Sequence, residues 1–399
     1  MKAGWQSKTL GEVCEVFNGG TPKTATKEFW GGEHQWITPA EMGKRSSPFV
    51  ADTERTITDL GLKNSSARPL PPYSVILSSR APIGHLVINT KPMATNQGCK
   101  GLVPCAYLNY KFLFYYLSSI VDLLNDLGSG ATFKELSGGK LKEVGIPIPQ
   151  LPEQHRIVTI LDAAFAETAT AKANAEKNLK NARALFESHL QSVFEQRGEG
   201  WVEYKKPLAD LCELIVDCEH KTAPTQEKGI PSIRTPNIGK GKLLLDGVYR
   251  VSEETYRDWT RRAEPLPGDL ILAREAPAGN VAIIPENLKV CLGQRTVLIR
   301  PSRNVFEPEF LALLLLQPRM QKKLLAHSRG ATVQHVNMKD IRALDVGGIP
   351  PIAVQRDIVS VVGKVSIESE RLEAIYQKKL TALDDLKKSL LHQAFKGEL

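Results

Sequence analysis

The chain has 399 residues, 42% hydrophobic and 24% charged, a balance that describes a globular protein of two or three domains and excludes fibrous and disordered classes. Its 52 Lys and Arg against 44 Asp and Glu leave a formal charge of +8 and a pI near 9.0, a surplus that favours a polyanionic partner. The N-terminal stretch lacks the apolar core of a signal peptide. The longest apolar run, 310–316, is far shorter than the roughly 20 residues that span a bilayer, so the sequence reads as cytoplasmic and not membrane-embedded.

In chain order, residues 1–148 are rich in Gly and Pro and carry short β-branched runs at 74–77 and 85–88 bounded by turn residues. A dense apolar segment without glycine predicts a helix over 110–126. From Pro152 to about Gln196 there is no further Pro or Gly. Leu161, Phe165, Thr168, Lys172, Ala175, Leu179, Ala182, Phe186, His189 and Val193 follow alternating spacings of four and three, the seam of a helix that packs on a partner helix. A proline-rich stop precedes it, and Gly198 is placed to end it. Residues 201–349 return to the first pattern, with strand-like runs at 270–272 and 281–284 and a predicted helix over 308–327. A second long helix over 352–396 carries Ile358, Val362, Val365, Leu372, Tyr376, Leu380, Leu383, Leu390 and Ala394, with Gly397 at its end.

The second half echoes the first. Leu10-Gly-Glu-Val-Cys14 matches Leu208-Ala-Asp-Leu-Cys212, and Ile37 to Gly43 matches Ile233 to Gly239. Pro69-Leu-Pro71 matches Pro265-Leu-Pro267, Gly130-Ala-Thr132 matches Gly330-Ala-Thr332, and Gln154 matches Gln355, all collinear with an offset between 195 and 201. The chain is one unit of about 200 residues written twice. The surplus charge follows the duplication: +4 in residues 1–150, from 16 basic and 12 acidic side chains, and +4 in 201–349, from 22 and 18.

About 44 helical residues measure about 65 Å, longer than a domain of this size is wide. Two such helices with one apolar seam each are expected to pack on each other, antiparallel, with a globular domain at either end. The predicted fold class is therefore α+β: two globular domains of mixed α/β structure separated by two long helices packed as an antiparallel coiled coil, in a pseudo-twofold internal repeat. The expected boundaries are 1–148 and 201–349 for the domains, and 149–200 and 350–399 for the helices.

Signatures of common enzymes are missing: no phosphate loop, no dinucleotide-binding glycine pattern, no H-E-x-x-H and no G-x-S-x-G. Leu70-Pro71-Pro72-Tyr73 looks like the D-P-P-Y loop of amino-methyltransferases, but Leu70 cannot accept a hydrogen bond from a target amine, so the prolines read as a turn before a strand. Cys14, Cys99, Cys105, Cys212, Cys218 and Cys291 form no C-x-x-C pair and no zinc-ligand spacing, and are expected to be free, buried thiols. The eight histidines have no matched partner in the other repeat. No catalytic and no metal-binding residue is therefore expected.

Chemistry concentrates instead in glycine-rich loops of both domains, whose Lys, Arg, Asn, Gln and Thr side chains suit phosphates and base edges. The candidate DNA-binding residues of the first domain are Lys23, Thr38, Glu41, Lys44, Arg80, Asn96, Gln97, Thr132 and Lys134. Those of the second are Lys221, Arg234, Asn237, Lys240, Arg274, Gln294, Arg295, Arg329, Thr332 and Gln334. At matched positions the chemistry changes, Thr38 against Arg234 and Glu41 against Asn237, while the apolar frame stays, as two readers of different sequences on one scaffold require.

In these residues the sequence resembles the specificity subunits of type I restriction-modification systems. Leu10-Gly-Glu-Val13, Trp36-Ile-Thr-Pro-Ala-Glu41-Met42, Ser79-Arg80-Ala-Pro-Ile-Gly84 and Pro147-Ile-Pro-Gln-Leu-Pro-Glu153-Gln154-His-Arg-Ile157 fit that family's pattern, in order and over nearly the whole chain. The second repeat departs from it with Ser232 at the Trp position, Ala273-Arg274-Glu275 for Ser-Arg, and Val354-Gln355 for Glu-Gln. The resemblance implies a non-catalytic subunit that binds double-stranded DNA, each domain reading one half of a bipartite target, with the helices setting the gap. It further implies two modification subunits carrying S-adenosylmethionine and restriction subunits using ATP and Mg, with no cofactor on this chain. The competing expectation is a coiled-coil adaptor for protein partners whose basic loops are only solvated surface.

Overall fold

The computed structural model describes residues 4–80, 82–130, 134–198, 200–326 and 334–399. The chain divides into two compact units, Met1–Ala175 with Lys378–Leu399, and Glu176–Gln377. The division falls within the two long helices, so each unit holds one globular domain with a segment of each helix.

In the first unit the run Val75–Ser79 is buried along its whole length because it lies inside a five-stranded sheet. The strand order is Cys14–Asn18, Cys99–Pro104, Val75–Ser79, Ile83–Asn89 and Phe49–Val50, and a three-stranded sheet of Arg55–Ile57, Trp30–Ile37 and Met93–Thr95 completes the β structure beside it. Gln6–Thr9 pairs antiparallel with Gly145–Ile148, bringing the start of the domain to the point where its helix begins. The second unit repeats this plan with the four-stranded order Cys212–Asp217, Thr296–Pro301, Leu270–Ala273 and Val281–Ile283. The likeness extends to register: Ile37 lies opposite Thr95 in a parallel pair, and Ile233 lies opposite Leu292 in another.

The helices expected over 110–126 and 308–327 are each broken into two. The first comprises Tyr110–Ser119 and Val121–Leu127, and the second Pro308–Leu316 and Pro318–Leu325. The second break has a steric cause, since Pro318 drives Gln317 out of the helical region, to φ −62° and ψ 146°. Tyr73 follows the two prolines at φ +67° in the turn before Val75, with its ring against Tyr110. All six cysteines are free, although Cys105 and Cys212 are only half-buried, and burial pushes the thiols of Cys14, Cys99, Cys212 and Cys291 up to about 12.

The long helices run Leu151–Glu195 and Ile352–Lys396. Gly397, at φ +77°, follows the second directly, as a C-terminal cap requires. The first stops three residues before Gly198, so that glycine is not its cap. Within each unit the helix segments run antiparallel. In the first, Arg156 reaches the Leu399 carbonyl (2.6 Å) and Lys172 pairs with Asp384 (2.8 Å). In the second, the Ser369 hydroxyl donates to the Ala182 carbonyl (2.6 Å) and Arg183 pairs with Glu373 (3.0 Å). Leu161 of the expected seam, with Ile157 and Val158, lies in the core of the first domain together with Leu391 and Ala394, while Leu190 and Phe194 are buried in that of the second, against which the seam residues Phe186 and Val193 pack half-buried.

A glutamine fixes each helix to its domain. Gln154 is fully buried; its Oε1 accepts from Asn109 N (2.8 Å), and its Nε2 donates to the carbonyls of Tyr107 (3.0 Å) and Pro149 (2.9 Å). Gln355 repeats this with Glu307 N (2.9 Å) and the carbonyls of Val305 (2.8 Å) and Pro350 (2.9 Å). Gln154→Ala removes the partner of three backbone groups, the Pro149 carbonyl among them buried, and is expected to destabilise the protein by about 2–3 kcal/mol in urea denaturation.

Candidate nucleic-acid interface

In the first domain, four groups of backbone bonds gather loops that are distant in sequence. Gly19 N donates to Cys99 O (3.2 Å), Asn96 N to Ile37 O (3.0 Å), Ser79 N to Gly98 O (2.7 Å) and Leu136 N to Ser79 O (2.9 Å). The approach at Gly19 is so close that a Cβ there would fall 1.9 Å from the Asn96 carbonyl oxygen, which requires glycine. Segments 18–23, 37–41, 79–80, 96–100 and 134–136 thus meet in one cluster. In the second domain Cys218 N donates to Thr296 O (3.2 Å), Gly293 N to Ile233 O (2.7 Å), Arg274 N to Arg295 O (2.9 Å) and Val336 N to Arg274 O (2.9 Å). The same bonds join 217–222, 233–237, 273–275, 293–296 and 334–336. They also set the correspondence residue by residue: Ser79 with Arg274, Arg80 with Glu275, Gly98 with Arg295, and Glu135 with His335.

Within this frame the candidate residues divide by what holds them. Lys23, Lys134, Lys221 and Gln334 are exposed, and Gln97 is exposed beside Thr21, to which it is hydrogen-bonded. Arg80 is part-exposed, 3.9 Å from Glu135. Arg234 stands over the exposed ring of Tyr249, and Arg295 is exposed and paired with Glu275. Lys44 faces the exposed Glu54 at 3.4 Å.

Others serve the loops themselves. Thr38 caps the short helix Pro39–Met42 by accepting from Glu41 N (3.3 Å), and Asn96 Oδ1 accepts from Gly98 N (2.6 Å). Glu41 is buried and holds both Arg45 (2.6 Å) and the Glu54 amide (3.1 Å). Asn237 bonds Arg234 N (3.1 Å) and Leu244 O (3.2 Å), and Gln294 donates to His220 O (3.2 Å). Arg274 is the most enclosed of the described basic candidates: it pairs with Asp217 at 2.7 Å, donates to Val336 O at 3.0 Å, and meets His335 Nε2 at 3.1 Å. Lys240 engages Glu187 on the central helix at 2.7 Å. Thr132, Arg329 and Thr332 lie outside the described residues.

Sequence reasoning missed Glu135, Asp217 and Glu275, the carboxylate partners of the arginines, and His335, which lies between Arg274 and Glu275. It also missed Lys100, buried on the strand next to Cys99, where burial pushes its pKa below the ordinary lysine value while Glu135 opposes that shift. The usable signal was reciprocity: Arg80 and Glu135 in the first repeat face Glu275 and His335 at matched places in the second. Trp36, part of the family-like motif, acts as structure; it is buried, donates to Gly20 O (2.9 Å) and meets Trp30 edge-on. Among the described residues no cluster of His, Cys, Asp and Glu is built to hold a metal, and no helix is long and apolar enough to cross a membrane.

Fold and loops together define a tandem protein: two like domains, each presenting a cluster of basic and amide side chains on a shared backbone. The family model for the type I restriction modification DNA specificity domain matches twice, over residues 2–181 and 199–379, and the chain belongs to that family. It is 38% identical to the type I restriction enzyme MjaIX specificity subunit of Methanocaldococcus jannaschii, over 39% of this chain and 37% of that protein. It is 25% identical to the EcoBI specificity subunit of Escherichia coli, over 78% of this chain and 70% of that one. The fold is shared with a solved chain from a study of assembly and conformational transition of a type I restriction-modification system (TM-score 0.77, 20% identity, 100% of this chain and 99% of the other). The HsdS subunit of Thermoanaerobacter tengcongensis also shares it (TM-score 0.60, 20% identity, 100% and 98%).

Proposed function

We propose that the chain is the non-catalytic DNA-reading subunit of a type I restriction-modification complex. Residues 1–148 and 201–349 each read one half of a bipartite target, and the helices in 149–200 and 350–399 set the gap and dock the partner subunits. The observation that carries this reading is the pair of loop clusters with one backbone plan and different side chains, because one scaffold bearing two chemistries is what recognition of two unlike half-sites demands. Membership of the specificity family favours it over the adaptor reading. Two modification subunits and the restriction subunits supply the chemistry, with S-adenosylmethionine, ATP and Mg bound on them, and the complex works in the cytoplasm.

The test is binding of the full chain, assembled with its modification subunits, to duplexes from the host genome. Bipartite sites are expected to be selected, with log affinity falling linearly against log salt as lysines and arginines displace counterions. Affinity independent of salt, or no preference for any split sequence, would sink the proposal.

A further inference from the structure

Each cluster holds one outward arginine on a carboxylate, but the two arginines come from different strands. In the first domain it is Arg80, 39% exposed, beside Glu135. The corresponding place in the second domain is Glu275, 18% exposed, set against His335 Nδ1 at 3.0 Å; its arginine partner is Arg295, 63% exposed, from the place that Gly98 occupies in the first. A Cβ on Gly98 would lie 2.9 Å from Asn96 Oδ1, 3.2 Å from Pro39 Cγ and 3.3 Å from Arg80 Cγ, so the first domain has no room for a side chain beside Arg80 without a shift of these neighbours. Arg295 stands at the Gly98 position with its backbone at the left-handed value φ +63°.

Arg274 offers a contrast. Its side chain is 13% exposed and its guanidinium is engaged by Asp217, Val336 and His335, which makes it a peg between loops. Arg80 and Arg295 have one carboxylate each and an open side. A planar guanidinium presented in this way matches the paired O6 and N7 acceptors of guanine in the major groove, the commonest specific arginine contact.

Resting on the DNA-reading function proposed above, we infer that Arg80 and Arg295 are alternative stations for one specificity-determining arginine, each reading a guanine in its own half-site, with Glu135 and Glu275 as counter-charges that position them. Selection of randomised bipartite duplexes by the full chain with its modification subunits, followed by sequencing, tests this. Arg80→Ala is expected to lose guanine preference about tenfold or more at one base pair of one half-site and to leave the other half-site unchanged. Arg295→Ala should do the converse.

Arg80→Lys and Arg295→Lys keep the charge without the two-pronged fork, and are expected to melt like the parent while losing the same preference. Retained guanine preference in any of the four variants would overturn the assignment. So would a uniform loss across all sequences with a salt slope reduced by about 1, which marks a phosphate contact. A parent complex that selects no split sequence at all would instead bring down the DNA-reading function itself.

Discussion

Arg274→Ala is expected to destabilise the second domain by about 3–5 kcal/mol and to abolish recognition by that domain. Arg274 and Asp217 have side chains only 13% and 15% exposed, so deletion of the arginine leaves a carboxylate with little access to water and no cation of equal reach. It also strands the Val336 carbonyl and removes the group that spans segments 217, 274 and 335. The loops that carry Asp217 and His335, on either side of the Glu275–Arg295 pair, then lose their common side-chain anchor. Denaturation monitored by fluorescence gives the stability change. Target selection should show one half-site degraded and the other kept; a stable variant with both half-sites intact would show that the peg is dispensable.

Phe112→Ala is expected to cost about 3–5 kcal/mol in the first unit, the range for removing a large buried aromatic. Phe112 is fully buried, and its ring meets Phe395 of the C-terminal helix edge-on, with centroids 5.1 Å apart; Tyr116 meets the same Phe395 at 5.2 Å. Truncation therefore opens a cavity where the domain core receives the end of that helix. Phe112→Leu, which keeps most of the volume, should cost far less. A loss below 1 kcal/mol for the alanine variant in urea would show that the site collapses without strain.

The long helices and the repeat were legible because their signals are periodic and redundant: Leu179, Ala182 and Val362 lie in buried seams as their spacing predicted. The breaks at Ile120 and Gln317 were not read, although Pro318 stood in view as the reason for the second. The recognition loops were legible as segments, since Gly, Asn and basic residues cluster there. The direction of each side chain was not, because it is decided by partners far along the chain. Arg274 turns inward to Asp217, 57 residues away, and Glu41 is captured by Arg45 and the Glu54 amide. The matched pairs Thr38 with Arg234 and Glu41 with Asn237 looked like readers, yet Thr38, Glu41 and Asn237 hold their own turns together. Ion pairs across loops leave no mark in local composition; only the duplicated copy, with Glu275 where the first has Arg80, carried a trace of them.

The buried glutamines at the helix entrances have a consequence for how such proteins diversify. The side-chain amides of Gln154 and Gln355 hydrogen-bond to main-chain atoms: an amide at the start of a domain helix, a carbonyl two residues before it, and a carbonyl in the proline stop. These hydrogen bonds do not depend on which side chains the attached domain carries. A recombined gene that preserves this backbone geometry can replace an entire reading head and still seat it on the same shaft, so new target sequences can arise by exchange of segments without any repair of the joint.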